Sequence, residues 1–467
     1  MGYSVEVFEA SNNPGGKIKE QLLGRYRFDM GPSVLTQPHL VEELFSLAKE
    51  NPANYFTFKK PEHIFRYFFE DGTELNTFNE SGKTIAELVS KLEISGDLIN
   101  RYLNQSEEIY KITAPVFLER SLHQAKNYWN KETLHGMLNF GKIKAFQSLN
   151  KYNCESLRHP KLVQIFNQYA SYNGSNPYKA PGTLSVIAHF EQNGGVFIPK
   201  DGIYSIVDSL YKLALRLGVK FQFGQRVEEI LTENNKVTGI RTKHEIFKSS
   251  IIVSNADAFN TWKHLLSKHP IPKNIKTHER SSSMVVFYWG VKKKFPELCL
   301  HNMFMSENSE EEYRCIFEKK VLHPDPSVYV NITAKELPED APEGCENWFV
   351  MVSVPPIAGQ DWDKLVEDCR RNILNKISKR LKTNIEELID VEDCLEPRMI
   401  ESRYNSALGS VYGFSSNSVW SAFMRQSNFS RTIKGLYFCG GSVHPGAGMP
   451  LCLLSAKITS GLIQERQ

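Results

Sequence analysis

The chain has 467 residues, of which 41% are hydrophobic and 23% charged, and these proportions are typical of a globular protein. Its 56 lysines and arginines and 53 aspartates and glutamates leave a net charge of +3, which is too small to indicate a nucleic-acid partner. The eight cysteines form no CxxC pair and no cluster with histidine, so we expect reduced thiols, a cytoplasmic location and no bound metal. No stretch reaches the ~18 apolar residues of a membrane-spanning helix, so any membrane contact should be peripheral.

The opening residues predict a strand that ends at Glu9, followed by a turn over residues 11–18 that is rich in Gly, Pro and Asn. In a dinucleotide-binding βαβ unit, an acidic residue at the end of the second strand binds a ribose hydroxyl, and Glu9 fits that position. Gly15 and Gly16 follow closely, and Lys17 could reach a phosphate. A plain hairpin would produce the same pattern, so the segment allows either interpretation.

A second glycine turn lies a short distance further along the chain. A strand-like pattern ends at Phe28 and leads to Gly31, Pro32 and Ser33, where the backbone could approach a ligand closely. A helix with Pro38 near its first turn follows. The turn therefore adds a second candidate contact with a ligand.

The middle of the chain changes its pattern twice. Residues 85–185 are helical in pattern and rich in aromatics, whereas residues 194–223 predict a strand, a glycine turn, an amphipathic helix and another strand. A strand over residues 251–254 ends in Asn255 and Asp257, which could bind cofactor groups or cap the next helix. Further predicted elements are a hairpin over residues 226–241 around an Asn-Asn turn, strands over residues 284–290, 328–331 and 348–354, and a helix over residues 362–381.

The C-terminal segment carries the strongest pattern. Residues 435–439 predict a strand, residues 440–450 a loop with four glycines, and Pro450 the start of a helix with a buried apolar stripe. Such a loop lets backbone approach a flat ligand, and the free amides of a helix N-terminus favour negative charge, which a reduced flavin carries near N1. A flexible surface loop is the alternative, but it fits poorly with the apolar helix. His444 in this loop could relay a proton, although a structural role is the favoured interpretation.

Four segments resemble one known family: GGSVHPGAGMP near the C-terminus, VFEASNNPGGK and RFDMGPS near the start, and NGGVFIPKDGIYSIVDSLYKLALRLGVKF in the middle. Together they are similar to the bacterial phytoene-desaturase-type carotenoid oxidoreductases, over nearly the whole chain. Within that family, the C-terminal segment and YNSALGSVYG (residues 404–413) most resemble the 1-hydroxycarotenoid 3,4-desaturases. The resemblance implies an α/β, FAD-binding Rossmann-like fold of the amine-oxidase type, with an inserted mixed α+β substrate domain.

The resemblance also implies which residues hold FAD. Glu9 would bind the adenosine ribose, and Val227 would contact the adenine. The other implied contacts are Gly15, Gly16 and Lys17 at the pyrophosphate, Gly31, Pro32 and Ser33 at the flavin, and Gly440, Gly441, Gly448, Met449 and Pro450 at the isoalloxazine. No residue is identified as a catalytic base.

The chain departs from the family at its start, where the first strand and the GxGxxG loop are missing. We therefore interpret Met1 as an internal methionine or a fragment boundary, and expect the upstream DNA to encode an apolar strand followed by GxGxxG. Without that loop, FAD affinity should collapse because the pyrophosphate loses its helix N-terminus. The expected division is a discontinuous FAD-binding domain over residues 1–80, 190–261 and 411–467, and a substrate- and membrane-associating domain over residues 81–189 and 262–410.

By resemblance, the expected reaction is the FAD-dependent desaturation of an acyclic carotenoid, at C3–C4 of a 1-hydroxycarotenoid, with oxygen or a quinone as electron acceptor. The expected partners are the polyene and a membrane surface, at the inner face of the cell membrane. An apolar tunnel should bind the hydrocarbon, and one buried polar group should bind a C1 hydroxyl if it is recognised. The alternatives are a phytoene or neurosporene desaturase, a polyene saturase, a flavin amine oxidase, and a membrane-associated scaffold without FAD.

Overall fold

The structure, a computed structural model, describes residues 2–465, with Met137 by its backbone alone. Met1, interpreted above as an internal methionine, lies outside this range, as do the last two residues of the predicted C-terminal segment. The strands are, in chain order, β1 (Glu6–Glu9), β2 (Glu20–Leu23), β3 (Tyr26–Asp29), β4 (Phe58–Lys59), β5 (His63–Phe68), β6 (Glu74–Phe78), β7 (Ile198–Pro199), β8 (Lys220–Phe223), β9 (Val227–Glu233), β10 (Lys236–Thr242), β11 (Ile246–Lys248), β12 (Ile252–Ser254), β13 (Ser283–Val291), β14 (His301–Phe304), β15 (Val328–Asn331), β16 (Glu346–Val354), β17 (Ile389–Leu395) and β18 (Leu436–Phe438).

Helices occupy most of the region between β6 and β7, as the sequence predicts for residues 85–185. They are joined there by short 3₁₀ and π turns such as Ala114–Leu118 and His189–Asn193. The α-helices of at least eight residues are α1 (His39–Leu47), α2 (Ser81–Leu92), α3 (Gly96–Thr113), α4 (Lys131–Leu138), α5 (Leu149–Leu157), α6 (Pro160–Asn167), α7 (Tyr204–Arg216), α8 (Trp362–Leu381), α9 (Pro397–Tyr404) and α10 (Met449–Glu465).

Four short parallel strands form two separate pairs. β1 runs parallel to β8, and β12 runs parallel to β18, so segments from both ends of the chain meet. Phe8 of β1 packs in the same hydrophobic cluster as Ile252 of β12 and Phe438 of β18, which places the two pairs side by side in one α/β region. Within residues 2–465, β1 pairs only with β8 and β12 only with β18, and Val7 and Val253 on these strands are exposed.

A seven-stranded sheet forms the second region, in the order β17-β13-β16-β15-β14-β5-β6. All neighbours are antiparallel except β14 and β5. Trp289 of β13 lies directly opposite Trp348 of β16, and helix α8 covers that face of the sheet through Ile373 and Ile377. The other face packs against the helical region through residues such as Phe349. The sheet therefore lies between a single helix and a helical layer.

The predicted domain boundary at residue 80 differs from this pairing. Strands β5 and β6, which the sequence analysis assigned to the FAD-binding part, are hydrogen-bonded into the seven-stranded sheet through β14. The physical reason is that β5 carries buried residues on both faces, and only a sheet with neighbours can cover both. Residues 63–78 are therefore part of the seven-stranded sheet, although they precede the predicted boundary.

The sequence analysis also missed β14 and β17 and merged the hairpin of β2 and β3 into one strand. None of the helices within the described residues is both long and apolar enough to cross a membrane. The eight cysteines are free thiols, as predicted, and no group of three metal-ligating side chains occurs among residues 2–465.

Candidate flavin-binding site

The glycine-rich loop predicted at residues 440–450 connects β18 to helix α10, which begins at Met449, one residue before the predicted Pro450. Gly440 has φ +100°, and its amide donates to Ser455 Oγ at 3.2 Å. A β-carbon built on Gly440 would lie 2.6 Å from Asn255 Nδ2, so a larger residue would collide with that side chain. Glycine is therefore needed here for both its conformation and its size.

The second half of the loop turns into the helix. Gly448 has φ +105°, and a β-carbon built on it would meet no atom within 4 Å, so its missing side chain faces open space. The Cys452 amide donates to Gly448 O at 2.9 Å, which leaves the preceding amides of the first turn outside the helical pattern. Gly441 lies close to Ala447 and Cys452. The free amides at the N-terminus of helix α10 can therefore bind the electron-rich edge of a ligand.

Lys17 reaches the same place from the opposite end of the chain. Gly15 and Gly16 have positive φ, and the Lys17 ammonium donates to the Val411 carbonyl. Much of the side chain is exposed, yet burial lowers the pKa of Lys17 while Asp257 and the Cys452 thiol partly restore it. The Lys17 ammonium thus lies at Val411 and close enough to Cys452, near the start of helix α10, for the two groups to interact.

Asn255 and Asp257 take different roles after β12. Asn255 Nδ2 donates to the Cys439 carbonyl at 3.2 Å, so it supports the glycine loop. Asp257 caps the short helix Ala258–Asn260 by accepting from the Phe259 amide at 2.9 Å, and its other oxygen lies 3.5 Å from Arg280 Nη1. The sequence left helix capping and ligand contact open for both residues. In the structure Asp257 caps a helix, whereas Asn255 lies at the glycine loop.

The turn at Gly31, Pro32 and Ser33 lies against the seven-stranded sheet. Gly31 has φ +106°, and a β-carbon built on it would lie 3.9 Å from Phe349. Ser33 Oγ accepts a 2.8 Å hydrogen bond from Tyr329, whose hydroxyl also lies 2.8 Å from His301 Nδ1. Complete burial lowers the pKa of His301 to about 3, so this imidazole is neutral at physiological pH.

Glu9 lies beside the chain that leads into Val227, because the Gln225 amide donates to the Glu9 carbonyl at 3.0 Å. Glu9 is the last residue of β1, and its carboxylate accepts from the Ser11 amide at 2.7 Å. Val227 opens β9 as predicted, and packs beside Phe8. Both residues thus lie where strands of the α/β region begin or end.

His444 holds the loop from inside. It is fully buried, its Nε2 lies 2.8 Å from the Arg120 carbonyl, and its own carbonyl accepts from Asn428 Nδ2 at 2.8 Å. Burial lowers the pKa of His444 to about 3. A neutral imidazole tied to backbone supports the structural role that the sequence analysis favoured over proton relay.

The residues that meet at the loop fit a flavin. The glycine backbone leaves open space at Gly448, the helix N-terminus supplies amides, and Lys17 supplies a cation. Burial raises the pKa of the Cys439 and Cys452 thiols to about 11, so neither adds a negative charge. This combination favours a ligand that becomes negatively charged on reduction.

Sequence reasoning missed part of this site. Val411 accepts from Lys17, a β-carbon on Gly413 would lie 3.0 Å from Ser442, and Ser442 Oγ accepts from the Ala258 amide at 3.0 Å. Residues 411–413 belong to the stretch YNSALGSVYG that carried the family resemblance, which was the available signal. Nothing in their residue types alone predicts a ligand contact.

Comparison with known proteins supports the same interpretation. A profile for flavin-containing amine oxidoreductases matches residues 1–464. The chain is 44% identical over 462 residues to a 1-hydroxycarotenoid 3,4-desaturase from Flavobacterium sp. (strain P99-3), covering 99% of this chain and 94% of that protein. It is 33% identical over 479 residues to a 4,4′-diaponeurosporene oxygenase from Staphylococcus aureus (strain MW2), covering 100% and 94%. These relatives confirm the resemblance to carotenoid oxidoreductases.

Solved structures agree on the fold. An oxidoreductase from Methanosarcina mazei superposes with a TM-score of 0.62 at 14% identity, covering 99% of this chain and 94% of that one. Cyclohexylamine oxidase from Brevibacterium oxydans IH-35A superposes with the same TM-score at 12% identity, covering 100% and 94%. The predicted amine-oxidase-type fold is confirmed. The chain belongs to the flavin-containing amine oxidoreductase family and is an FAD-dependent enzyme.

Proposed function

We propose that this enzyme desaturates an acyclic carotenoid, at C3–C4 of a 1-hydroxycarotenoid. The observation that carries the proposal is the meeting of Lys17, the glycine loop and helix α10, in a chain that is 44% identical over 462 residues to a 1-hydroxycarotenoid 3,4-desaturase. Desaturation removes two hydrogens from adjacent carbons of a hydrocarbon chain. The main task of the protein is therefore to hold an apolar chain beside the flavin.

The proposed cofactor contacts follow the site described above. Gly440, Gly441, Gly448, Met449 and Pro450 line the isoalloxazine. At the other positions, Glu9 binds the ribose, Val227 contacts the adenine, and Gly15 and Gly16 border the pyrophosphate. Lys17 follows them and reaches from the pyrophosphate towards the flavin, where its ammonium contacts the Val411 carbonyl and interacts with Cys452 of helix α10. Gly31, Pro32 and Ser33 border the flavin, Asn255 supports the glycine loop, and Asp257 caps the short helix that follows β12. The proposed division is an FAD-binding part over residues 1–80, 190–261 and 411–467 and a substrate part over residues 81–189 and 262–410, with strands β5 and β6 of the first part hydrogen-bonded to the sheet of the second.

When bound, FAD would supply the hydride acceptor for this reaction, and the proton of the neighbouring carbon would leave to a base or to solvent. The chain's own contribution is electrostatic and steric. Lys17 and the N-terminal amides of helix α10 stabilise negative charge at the flavin side, because a cation and a positive helix end lie there. Oxygen or a quinone then takes the electrons.

Aromatic rings on the other side of the site suit a polyene. Gly31 borders Phe349, and the Phe349 ring lies 5.7 Å from Tyr288 and 6.2 Å from Tyr329. All three rings are buried and pack towards the helical layer, so a polyene beside them would run between the sheet and these helices, where apolar shape recognises a hydrocarbon. We propose that the substrate chain lies along these rings, with its reacting bond towards the glycine loop.

The reaction is tested by expressing the protein in cells that accumulate a 1-hydroxylated acyclic carotenoid. One added conjugated double bond should shift the pigment absorption to longer wavelength. If the chromophore stays unchanged and phytoene is converted instead, the 3,4-assignment is overturned. A product with fewer double bonds in anaerobic extracts identifies a saturase, and peroxide formed from amines identifies an amine oxidase. A purified protein that binds no FAD even when the upstream coding sequence is restored identifies a scaffold.

An apolar surface supports peripheral attachment to a membrane. Leu134 and Leu138 lie four residues apart on helix α4 and are exposed, and Trp129, at 89% exposure, directly precedes this helix. The rings of Phe140 and Phe146 lie 5.5 Å apart beside it, and both are exposed. We call these five residues the apolar patch.

The apolar patch is better suited to contact with lipid than to exposure to water. Large aromatic and aliphatic side chains rarely stay exposed together unless they contact a partner, and Trp and Phe are favoured at the lipid headgroup boundary. Lys131 and Lys142 lie within the same segment and are exposed, so they can meet anionic headgroups. We propose that this face rests on the cytoplasmic side of the cell membrane, where the substrate is dissolved.

Replacing Trp129 and Phe146 together with glutamate should reduce the vesicle-bound fraction at least tenfold. Each aromatic contributes roughly 2 kcal/mol when it leaves water, and the new charges oppose insertion. Binding is measured by co-sedimentation with vesicles of phosphatidylglycerol and phosphatidylethanolamine. The matched control replaces Leu22, which is 76% exposed on β2, with glutamate. Equal sedimentation of both variants would refute the lipid contact.

A further inference from the structure

Arg425 is a buried cation close to the glycine loop. Only 1% of the residue is exposed. Its Nη2 donates to Ser416 Oγ at 2.9 Å, whereas its Nη1 is fully buried and has no hydrogen-bond partner within residues 2–465. An unmade hydrogen bond on a buried charged group is costly, so such an atom indicates a ligand or a missing oxygen.

No negative charge compensates this arginine. In the part of the chain that the structure describes, no carboxylate forms an ion pair with Arg425, and burial lowers its pKa to about 10. The titratable groups that face it are His278 and His444, and burial lowers the pKa of both, so they are neutral at physiological pH. Arg425 therefore presents a free N–H to whatever lies beside it.

Asn173 supplies the complementary group. It is the last residue of the 3₁₀ turn Gln168–Asn173 and is 9% exposed. Its Nδ2 donates to the same Ser416 Oγ at 3.3 Å, and its Oδ1 is buried with no partner among the described residues. One serine oxygen thus joins the two side chains, of which Arg425 carries an unpartnered donor and Asn173 an unpartnered acceptor.

Arg425 also lies next to the proposed flavin position. The chain at Gln426 runs beside Val443, and a β-carbon built on Gly446 would lie 3.4 Å from Arg425 Nε. Gly446 precedes Gly448 by two residues, which span at most about 7 Å. Arg425 therefore lies beside the glycine loop, two residues before the open space at Gly448.

We propose that Arg425 and Asn173 bind the hydroxyl group of the substrate. A hydroxyl accepts one hydrogen bond and donates another, so it satisfies Arg425 Nη1 and Asn173 Oδ1 together, whereas a hydrocarbon end satisfies neither. The proposal rests on the proposed function. With about 1.5 Å per bond, the oxygen of a C1 hydroxyl lies within roughly 5 Å of the C3–C4 bond, so its binding site has to adjoin the flavin. Arg425 meets that requirement.

The pair then selects both the substrate and the bond. A site whose buried polar groups are matched by a hydroxyl discriminates strongly against an analogue without it, because the analogue leaves those groups unpaired. A chain anchored at its hydroxylated end can present only the bonds near that end to the flavin. Arg425 and Asn173 are therefore specificity-determining residues, and neither takes part in the hydrogen transfer.

The test compares two pigments of equal length, one with a C1 hydroxyl and one with hydrogen in its place, using the FAD-loaded enzyme. Arg425→Met and Asn173→Ala should each lower kcat/KM for the hydroxylated pigment at least 100-fold and change that for the other pigment less than threefold. Arg431→Met, at an exposed arginine, is the matched control and should change neither value. Bound flavin and the near-ultraviolet circular dichroism spectrum report whether each variant is folded.

Equal losses on both pigments, or an unchanged ratio, would overturn the proposal. If Arg425→Met does not fold, the ratio measured for Asn173→Ala decides. If the unaltered enzyme converts neither pigment, the proposed function fails, and the hydroxyl site is judged separately by binding. In that case the dissociation constants of the two pigments are measured by quenching of tryptophan fluorescence. They should differ at least tenfold for the unaltered enzyme and become equal in both variants. Equal dissociation constants for the unaltered enzyme would refute the site.

Discussion

Replacing Gly448 with valine is expected to leave a folded protein that retains less than a tenth of its FAD. A β-carbon at this position meets no protein atom within 4 Å, so the new side chain projects into the space proposed for the isoalloxazine. The left-handed backbone at φ +105° costs about 1–3 kcal/mol for a non-glycine residue, less than the roughly 5–15 kcal/mol that stabilises a typical domain. FAD per protein, read from absorbance after heat release, measures the effect.

Gly359→Val is the matched control for this prediction. Gly359 has φ +90°, and a β-carbon built on it also meets nothing within 4 Å, so the two substitutions carry a similar backbone penalty. The control should keep its full FAD content and show a similar fall in Tm. If both variants retain FAD equally, or both lose it equally, the glycine loop is not the flavin contact.

Replacing Lys17 with methionine should raise the dissociation constant for FAD roughly 10- to 100-fold. A hydrogen bond to a charged group contributes about 1.5–3 kcal/mol, and methionine keeps the length of the side chain without its charge. The same change should make the midpoint potential of the bound flavin more negative, because a cation that favours the reduced form is lost. Titration of the FAD-free protein and a dye-coupled reduction measure the two quantities.

Lys19→Met provides the comparison for Lys17. Lys19 lies two residues further along the chain, and its ammonium lies 5.6 Å from the centre of the Tyr404 ring rather than at the glycine loop. Its replacement should change neither the affinity nor the potential. A Lys17 variant that behaves like the Lys19 variant would remove the ammonium from the proposed site.

Elements with a long, regular pattern were predicted correctly from the sequence. Helix α8 runs over the residues predicted for it, and the hairpin of β9 and β10 turns at Asn234 and Asn235, both with positive φ. These elements depend on local features, namely helical periodicity, an N-cap at Asp361 and turn residues that tolerate a left-handed backbone. Local features remain readable in a single sequence.

The missed strands depend on their neighbours. β17 contains three acidic residues and alternates weakly, yet it pairs with β13 along its length, where Glu392 accepts from the Trp289 indole at 2.9 Å. β14 is only four residues long and contains His301 and Asn302, both buried and hydrogen-bonded. Polar residues occupy buried strands here because partners distant in the sequence satisfy them.

The sequence by itself located the two glycine segments, because they depend on residue types at short spacing. The resemblance of four such segments to a known family then implied the family and the FAD cofactor. Only the tertiary structure showed which distant residues come into contact near these segments. Lys17 reaches Val411 across 394 residues, and Arg425 and Asn173 both hydrogen-bond to Ser416. Neither arginine nor asparagine signals a ligand from its place in the sequence. Their unpartnered atoms arise because the fold removes water from both and supplies a partner to only one atom of each.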